Sequence, residues 1–442
     1  MSDEPFFRFQ ETKVLNLEIP EKKEKTNIRV NAARISERLN QLAAFGLNAE
    51  GGIDRSFGSD QDIRARKWLS QLWTHVFEAP VKIDPIANLW VRYDKGQTLK
   101  PIVLGSHHDA VANGGKFDGA MGVLLATEVL QTLKEAGYPL RHPLMAVSFS
   151  AEEPNPYNIS TLGSRSITGV LTKEDLQSAV HGKTNEKITE TIHRLGGDVD
   201  QLASHLLQSD ELAAFIECHI EQGRNLIDSG KSLAVVSGIT GIYREKLTLS
   251  GEANHAGTTL MPDRHDALLA GAEISLGLEE IVTDLNRNDV VATVGHFDVY
   301  PDSANIIPGK VELIAEIRTS DRNVLQGIIQ AFSTVIDQAS KKRQVGVQRD
   351  VILDQNGVPM DAHVQEALRQ AIETLSESYL TLPSLAGHDS AHMAPITPTG
   401  MLFVPSINGK SHCPDEETKI DDIVKAGNAL VQAVIVLDKE LN

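Results

Sequence analysis

Histidines and acidic residues that could bind metal ions occur where short apolar runs of the sequence end. His107 and Asp109 follow the run 102–106, and a pair of glutamates follows Leu144–Phe149. Imidazole nitrogens and carboxylate oxygens are the ligands that suit Zn, Mn, Co or Ni. The sequence therefore predicts a site that suits two divalent ions. Its candidate residues are His107, Asp118, Glu152, Glu153, His219 and His412.

The alternation of side chains along an extended chain predicts how His107 and Asp109 differ in role. Successive side chains on a strand point to opposite faces, so His107 and the residue after it cannot easily reach one ion. Asp109 shares the face of His107 and can orient the imidazole ring through a hydrogen bond. Asp118 has two carboxylate oxygens and can bridge two ions. The adjacent Glu152 and Glu153 can divide the roles of base and ligand.

Apolar periodicity around these residues predicts an α/β layer. Helical spacing occurs twice near the start and is followed by β-rich runs that alternate with a helix, an order typical of α/β sheets. The predicted elements are helices through 35–42 and 63–76, strands 89–93, 102–106 and 144–149, helix 123–133, strands 213–220 and 400–404, and helix 420–437.

A segment in the middle of the chain has a different order of elements. It contains strand 242–249, helix 267–281, and strands 290–299 and 311–317. The chain has 442 residues, more than the roughly 250–300 at which single cores stop growing. We therefore predict a large catalytic domain, residues 1–222 and 337–442, with a mixed sheet flanked by helices and an N-terminal extension at 1–26. A smaller α+β domain, 223–336, is inserted into it.

Composition excludes several classes of protein. Apolar residues make up 41% and charged residues 23%, as in ordinary globular proteins, so disorder is not indicated. The net charge of −18 argues against nucleic acid or an anionic membrane as partner, because phosphate binding needs clustered lysine and arginine. The N-terminus is charged where a signal peptide is apolar, and no run approaches the roughly 18–20 apolar residues of a membrane span. We expect a cytoplasmic protein.

The two cysteines, Cys218 and Cys413, each adjoin a candidate histidine. Two cysteines are too few for a disulfide framework in a chain of this length, so both are predicted to be reduced thiols. Neighbouring side chains on a strand point away from one another, and a small buried cysteine is a common packing residue. We therefore do not count either thiol among the metal ligands.

Several stretches resemble the metal-dependent amidohydrolases of the M20 clan, in the branch of N-carbamoyl-L-amino-acid hydrolase, β-ureidopropionase and allantoate amidohydrolase. They are GSHHDAVANGGKFDGAMGV, SAEEPNPYNISTLGSRSITG, HIEQG, GEANHAGTTLMPDRHDA, NIIPGKVELIAEIRT, AGHDSAHMA and GKSHCPDEET. The resemblance runs across nearly the whole chain. His107 and Asp118 are eleven positions apart, and His219 stands where the clan's peptidases usually carry a carboxylate. Both features favour this branch over the peptidases.

The resemblance implies which residues bind which ion. One ion is bound by His107, Asp118 and His219, and the other by Asp118, Glu153 and His412. Asp118 is then the bridge between them. The resemblance also implies that the inserted domain is a lid through which two copies of the chain form a homodimer.

The resemblance further implies catalytic and substrate-binding roles. Glu152 is the general base that takes a proton from the attacking water and later protonates the leaving nitrogen. His255 polarises the substrate carbonyl, and in the family the partner subunit delivers it. Whether His255 acts within its own chain here stays open. Gln222 and the Gly387-His388 loop are candidates for contacts with polar substrate groups, although His388 can equally be structural.

Arg318 is implied to bind a carboxylate of a small-molecule substrate. In an alternating strand it lies on the polar face, where a planar guanidinium can contact both carboxylate oxygens. Asn305 is implied to add an amide contact. The alternative for Arg318 is an ion pair with Glu316 on the same strand.

Two departures from the branch leave the substrate open. Residues 154–158 read PNPYN where Gly-Ser-Arg-Phe is common, and Ala110 stands where a hydroxyl residue is usual. The two prolines stiffen this loop. If the loop lines the substrate pocket, the substrate can differ from those of the named members. We expect hydrolysis of a linear amide or ureido C–N bond, in N-carbamoyl amino acids, β-ureido acids, allantoate, related ureides or N-acyl amino acids. An aminoacylase or dipeptidase is the alternative enzyme, and an inactive metal-binding scaffold is the alternative of another class.

Overall fold

The computed structural model describes residues 28–441, and the predicted N-terminal extension at 1–26 lies outside them. The chain divides into two compact units. The larger unit contains the described residues up to Ser237, Met360–Leu382 and those from His388 onward. The smaller unit contains Gly238–Pro359 and Pro383–Gly387.

The helices and strands follow one another along the chain with short connections. The described helices are α1 (Ala32–Ala43), α2 (Asp60–Phe77), α3 (Ala120–Glu135), α4 (Leu162–Ile167), α5 (Lys173–Ser178), α6 (Ile188–Arg194), α7 (Asn225–Ser229), α8 (Ala267–Asp284), α9 (Arg322–Arg343), α10 (Ala362–Thr374), α11 (Ser390–Met393) and α12 (Ile420–Glu440). The described strands are β1 (Lys82–Ile83), β2 (Leu89–Tyr93), β3 (Ile102–His107), β4 (Leu144–Phe149), β5 (Ala214–Ile220), β6 (Leu233–Ile239), β7 (Gly241–Ser250), β8 (Asn254–His255), β9 (Val290–Tyr300), β10 (Ile306–Ile307), β11 (Lys310–Thr319), β12 (Gly346–Gln355), β13 (Val358–Pro359), β14 (Tyr379–Ser384) and β15 (Thr399–Val404). None of these helices is long and apolar enough to cross a membrane.

The sheet of the larger unit is mixed, as predicted. Its strands lie in the order β1-β2-β4-β3-β5-β15-β6. The four central strands, β4, β3, β5 and β15, run parallel, whereas β2 and β6 pair with antiparallel neighbours. Because parallel strands end at one edge of a sheet, the residues that follow β3, β4, β5 and β15 meet there.

Both faces of this sheet are covered, so its central strands are apolar on both sides. Alternate residues of β3 enter different cores: Ile102 and Leu104 pack with α3 and α12, whereas Val103 packs with Phe149 and Phe215. Every residue of β3, β4, β5 and β15 is buried. The continuous apolar runs in the sequence therefore correspond to central parallel strands.

The smaller unit is built on an antiparallel sheet in the order β12-β7-β11-β9. In β11, Val311, Leu313, Ala315 and Ile317 are buried and alternate with more exposed polar residues. The buried face packs against α8 and α9 in one hydrophobic core. Alternation of this kind is expected for a sheet with one face in water.

The smaller unit begins and ends later than the inserted domain predicted at 223–336. Its boundary follows Pro359 because α9 packs in the same core and β12 pairs with β7. The expectation that the larger domain resumes after about residue 337 therefore does not match these contacts. The sequence signal is weak because β12 is an edge strand without a buried residue.

Candidate metal centre

Parallel strands deliver most of the candidate ligands to one edge of the large sheet. His107 is the last residue of β3 and His219 the penultimate residue of β5, and their ring centroids are 5.8 Å apart. Glu152 and Glu153 follow β4. The Nδ1 atoms of His107 and His219 lie 3.2 and 3.0 Å from main-chain carbonyl oxygens, which turns both Nε2 atoms toward the same point.

Asp118 lies between two groups of possible ligands, just before α3 begins. Its Oδ1 atom is 3.4 Å from His107 Nε2 and 3.3 Å from His219 Nε2. Its Oδ2 atom is 3.4 Å from His412 Nε2, which is 3.2 Å from Glu153 Oε1. Each oxygen of Asp118 thus faces its own group, the arrangement expected of a bridging carboxylate. In each group the possible ligand atoms all lie within 4.8 Å of one another.

The chemistry of these groups fits a pair of divalent cations. Asp118, Glu152 and Glu153 are buried, and buried carboxylates are costly unless a cation or hydrogen bonds compensate them. Glu153 Oε1 makes no hydrogen bond with the described residues. Imidazole nitrogens and carboxylate oxygens lie close together in this centre. They are the ligand types that suit Zn, Mn, Co and Ni.

Asp109 acts on the glutamates more directly than on His107. Its carboxylate accepts the main-chain N–H of Glu152 at 3.2 Å and that of Glu153 at 3.1 Å. Its Oδ1 atom is 3.6 Å from His107 Nδ1, whereas its main-chain oxygen is 3.2 Å away. The predicted orienting contact with the ring is therefore made mainly by the Asp109 main chain, and the carboxylate fixes the turn that carries the glutamates.

Left-handed backbone occurs beside the candidate ligands. Ala151, Gln222 and His412 have φ angles of 53°, 59° and 56°. Each costs roughly 1–2 kcal/mol for a residue with a Cβ, so the surroundings must hold it. For Ala151 they do so through two main-chain hydrogen bonds, from Leu162 N–H to the Ala151 oxygen and from Thr161 N–H to the Glu152 oxygen. Strain of this kind clusters at functional sites.

The titrating groups of the site have strongly shifted pKa values. Burial raises the pKa of Glu152 well above its usual value, although the neighbouring His107 acts in the opposite direction. Burial also acts to raise the pKa of Asp118, but the facing histidines outweigh it and hold that pKa well below its usual value. The facing carboxylates of Asp118 and Glu153 raise the pKa of His412 to about 10. The pKa values of Glu152 and Asp118 are thus shifted in opposite directions. This is the pattern of sites in which one carboxyl exchanges protons and another stays ionised.

Gln222, predicted to contact substrate, donates from Nε2 to Asp118 Oδ2 at 2.7 Å. Ser411 Oγ is 2.9 Å from the same oxygen and 3.0 Å from Glu416 Oε2. Ser411 and Glu416 are not predicted from the sequence, although both lie in the stretch GKSHCPDEET. The sequence feature that could have indicated Glu416 is its place as an acidic residue four positions after His412. His388 is buried with its ring centroid 4.5 Å from that of His219.

The loop at 154–158, where the sequence departs from the branch, is held firmly in the larger unit. Asn155 Nδ2 donates to the Glu153 main-chain oxygen at 3.2 Å, and Tyr157 Oη lies 2.6 Å from Thr191 Oγ1.

Cys218 is buried in the hydrophobic core, as predicted for a packing residue. Burial raises the pKa of its thiol, so it stays protonated.

Four of the predicted residues lie in the smaller unit. They are His255, Asn305, Arg318 and Gly387. His255 pairs with Ile306 between β8 and β10 and is exposed, and the Ala256 N–H donates to the Asn305 oxygen at 2.9 Å. Arg318 donates from Nε to Glu316 Oε1 at 2.7 Å, so the alternative ion pair is present. Its Nη1 also donates to the Leu385 oxygen at 2.9 Å.

Comparison with known proteins agrees with this architecture. The model of peptidase family M20/M25/M40 matches residues 103–435. N-carbamoyl-L-amino acid amidohydrolase of Geobacillus stearothermophilus is 32% identical over 92% of this chain and 98% of its own length. Allantoate amidohydrolase of Escherichia coli is 32% identical over 90% of this chain and 95% of its own length. The solved structure of a hydantoinase/carbamoylase family amidase from Burkholderia multivorans, 30% identical, superposes with a TM-score of 0.86 over 93% of this chain and 99% of that one.

Proposed function

The chain belongs to peptidase family M20/M25/M40 and is a hydrolase of carbon–nitrogen bonds other than peptide bonds, and we propose that it cleaves an N-carbamoyl amino acid or a related ureide such as allantoate. The observation that carries the proposal is Asp118, with a pair of imidazoles at one oxygen and a third imidazole at the other. The relatives named for these substrates match the chain over nine-tenths of its length.

We place two divalent ions at Asp118. His107, Asp118 and His219 would hold one, and Asp118, Glu153 and His412 would hold the other. When bound, such ions polarise a carbonyl group and make water more acidic. The buried carboxylates gain the positive charge that their burial requires.

Glu152 serves as the general base. Burial favours the protonated form of its carboxyl, so a proton taken from the attacking water is held until the nitrogen leaves. The water oxygen bonds to the carbonyl carbon, the C–N bond breaks, and the proton passes from Glu152 to the leaving nitrogen. The Asp109 carboxylate holds this glutamate in place through its main-chain N–H.

His255 is suited to donate a hydrogen bond to the carbonyl oxygen as negative charge develops on it. Its Nδ1 accepts the Gly257 N–H at 3.0 Å, which places the ring proton of a neutral imidazole on Nε2. The ring is exposed and Nε2 can therefore meet a ligand.

Arg318 and Asn305 are suited to bind a substrate carboxylate. Arg318 donates from Nε to Glu316 and from Nη1 to the Leu385 oxygen. The Nη2 atom is therefore the part of the guanidinium that would bind a ligand. Asn305 Oδ1 accepts from Ser303 Oγ at 2.8 Å, so the Nδ2 donors are the atoms that Asn305 would offer to a ligand. A charged hydrogen bond of this kind favours substrates that carry a carboxylate, as N-carbamoyl amino acids and allantoate do.

The smaller unit serves as the lid and the dimer contact in this proposal. Strand β9 lies at one edge of the four-stranded sheet. An edge strand can pair with a strand from a second copy of the chain. On α8, Leu276 is 65% exposed and Leu269 is 37% exposed. Exposed leucines on one helix are expected where another chain covers them.

The proposal is tested with purified protein loaded with Mn²⁺ or Co²⁺. N-carbamoyl amino acids, allantoate, N-acetyl amino acids and dipeptides are supplied, and ammonia and amino acid release are measured. We expect ureide hydrolysis in preference to dipeptide hydrolysis, and its loss in Glu152→Gln. Preference for dipeptides or N-acetyl amino acids would support the aminoacylase or dipeptidase alternative, and inertness toward all four classes would support the inactive scaffold.

A further inference from the structure

Glu416 is a buried carboxylate beside the proposed metal centre whose role the proposed reaction leaves unexplained. It is 4% exposed, and its hydrogen-bond partners are neutral. Glu416 Oε1 accepts the main-chain N–H of Phe117 at 2.9 Å and that of Asp118 at 3.0 Å. Two successive amides of one turn therefore point at one oxygen.

The second oxygen of Glu416 reaches the side chain of the same aspartate. Glu416 Oε2 is 3.0 Å from Ser411 Oγ, which is 2.9 Å from Asp118 Oδ2. The Ser411 hydroxyl has one proton and so donates to one of these oxygens at a time. Glu416 thus holds the main chain of Asp118 directly, and its Oε2 atom shares the Ser411 hydroxyl with Asp118 Oδ2.

The contact through Ser411 lies on one side of the Asp118 carboxylate. Oδ2 is the oxygen that faces His412, whereas Oδ1 faces the imidazoles of His107 and His219. His412 and Glu416 also lie on one loop, so a displacement of Glu416 would move two ligands of the same group. No contact of Glu416 reaches the Oδ1 side among the described hydrogen bonds.

Close packing shows that the turn is shaped to receive this carboxylate. A Cβ at Gly115 would lie 2.0 Å from the carboxyl carbon of Glu416. Such an approach is impossible for any residue with a side chain, so glycine at this position lets the Glu416 carboxylate reach the 117–118 amides.

We propose that Glu416 is a positioning residue that sets Asp118 Oδ2 for the second ion, the one held by Asp118, Glu153 and His412. This inference rests on the two-ion centre of the proposed function. Glu416 acts through Asp118 and Ser411, without touching substrate or ion. Its removal weakens the second ion and leaves the first, held at Oδ1, in place.

The test is metal binding by chelator-stripped protein, followed by equilibrium dialysis against graded Mn²⁺. Wild type should bind two ions per chain, and Glu416→Gln should bind the first with wild-type affinity. The dissociation constant of the second ion should rise about 10- to 100-fold, the usual effect of losing a residue that orients a ligand. At Mn²⁺ concentrations that fill both sites of wild type, its EPR spectrum should be that of two coupled ions. Glu416→Gln at the same concentration should give the spectrum of an isolated ion.

Asp438 offers a matched control in the same unit. Its Oδ1 atom accepts two successive main-chain N–H groups, those of Arg141 at 2.9 Å and His142 at 2.8 Å, and it is buried. Asp438→Asn should bind both ions as wild type does. His412→Ala is the reference for loss of the second ion, and Glu416→Gln should weaken the same ion without losing it at high Mn²⁺.

The outcomes separate this inference from the proposed function. Wild-type protein that binds fewer than two ions overturns the two-ion centre and this inference with it. A wild type with two ions and Glu416→Gln with unchanged or equally weakened ions overturns the inference alone, as does equal loss in Asp438→Asn. If Glu416→Gln does not fold, Ser411→Ala replaces it, since the Glu416 main-chain contacts then remain. Unchanged affinity for the second ion in that variant overturns the inference.

Discussion

Asp109 gives the sharpest test of how the glutamates are held. Asp109→Ala removes the acceptor of two main-chain N–H groups, those of Glu152 and Glu153, at 3.2 and 3.1 Å. The main-chain oxygen of residue 109, which lies 3.2 Å from His107 Nδ1, stays in place. The substitution therefore separates the turn that carries the glutamates from the orientation of the ring.

The magnitude follows from the two amides. A buried donor left without its partner costs about 1–3 kcal/mol, so Asp109→Ala should lower the free energy of unfolding by about 2–6 kcal/mol. Asp109→Asn keeps one acceptor oxygen and should lose about half as much. Because Glu152 is no longer fixed, kcat should also fall, whereas the ion at His107 should remain bound.

Urea unfolding of chelator-stripped protein measures the first effect, and kcat with bound metal per chain measures the second. Asp438→Ala is the control, because it too leaves two successive main-chain amides without an acceptor, the buried one of His142 and the partly buried one of Arg141. It should lose similar stability and keep kcat. The reasoning is refuted if Asp109→Ala loses less than about 1 kcal/mol of stability while it loses the ion at His107, since Asp109 would then act chiefly on the ring.

Further predictions concern individual side chains of the site and of the smaller unit. Glu152→Gln should keep both ions while kcat falls about 10²- to 10⁴-fold, whereas Glu153→Gln should lose the second ion; loss of metal from the first variant would contradict the division of roles. Arg318→Ala should raise KM for a carboxylate substrate about 10- to 100-fold with little change in kcat, and unchanged kinetics would remove it from the site. His412, whose pKa is raised to about 10, carries a proton near pH 7, so uptake of the second ion should release that proton. Affinity for the second ion should therefore rise with pH up to about 10, as calorimetry in buffers of different ionisation enthalpy can show.

The large sheet follows closely from the sequence because its central strands are apolar throughout. Runs such as Leu144–Phe149 have few alternative structures, and parallel ends of such strands meet at one edge. His107 and the glutamates could therefore be placed together from residue type and position alone. The left-handed backbone at Ala151 could not, because the hydrogen bonds that hold it come from Thr161 and Leu162, beyond the loop at 154–158.

The less predictable features depend on contacts that residue types do not specify. The edge strand β12 has no buried residue, so apolar periodicity misses it and the boundary of the smaller unit is placed too early. Asp109 and Glu416 both use their carboxylates on main-chain amides remote in sequence. An acidic side chain in a loop gives no sign of such a partner until the fold brings the two together.

The central claim is that this chain hydrolyses a ureide at a two-ion centre around Asp118. Its most direct test is a titration of chelator-stripped protein with Mn²⁺, in which ammonia release from an N-carbamoyl amino acid and bound metal per chain are measured in the same samples. We expect no ammonia release without metal and a maximum rate when both groups at Asp118 are filled. Full activity in the stripped protein, or no ammonia release at full occupancy from either an N-carbamoyl amino acid or allantoate, would contradict the claim.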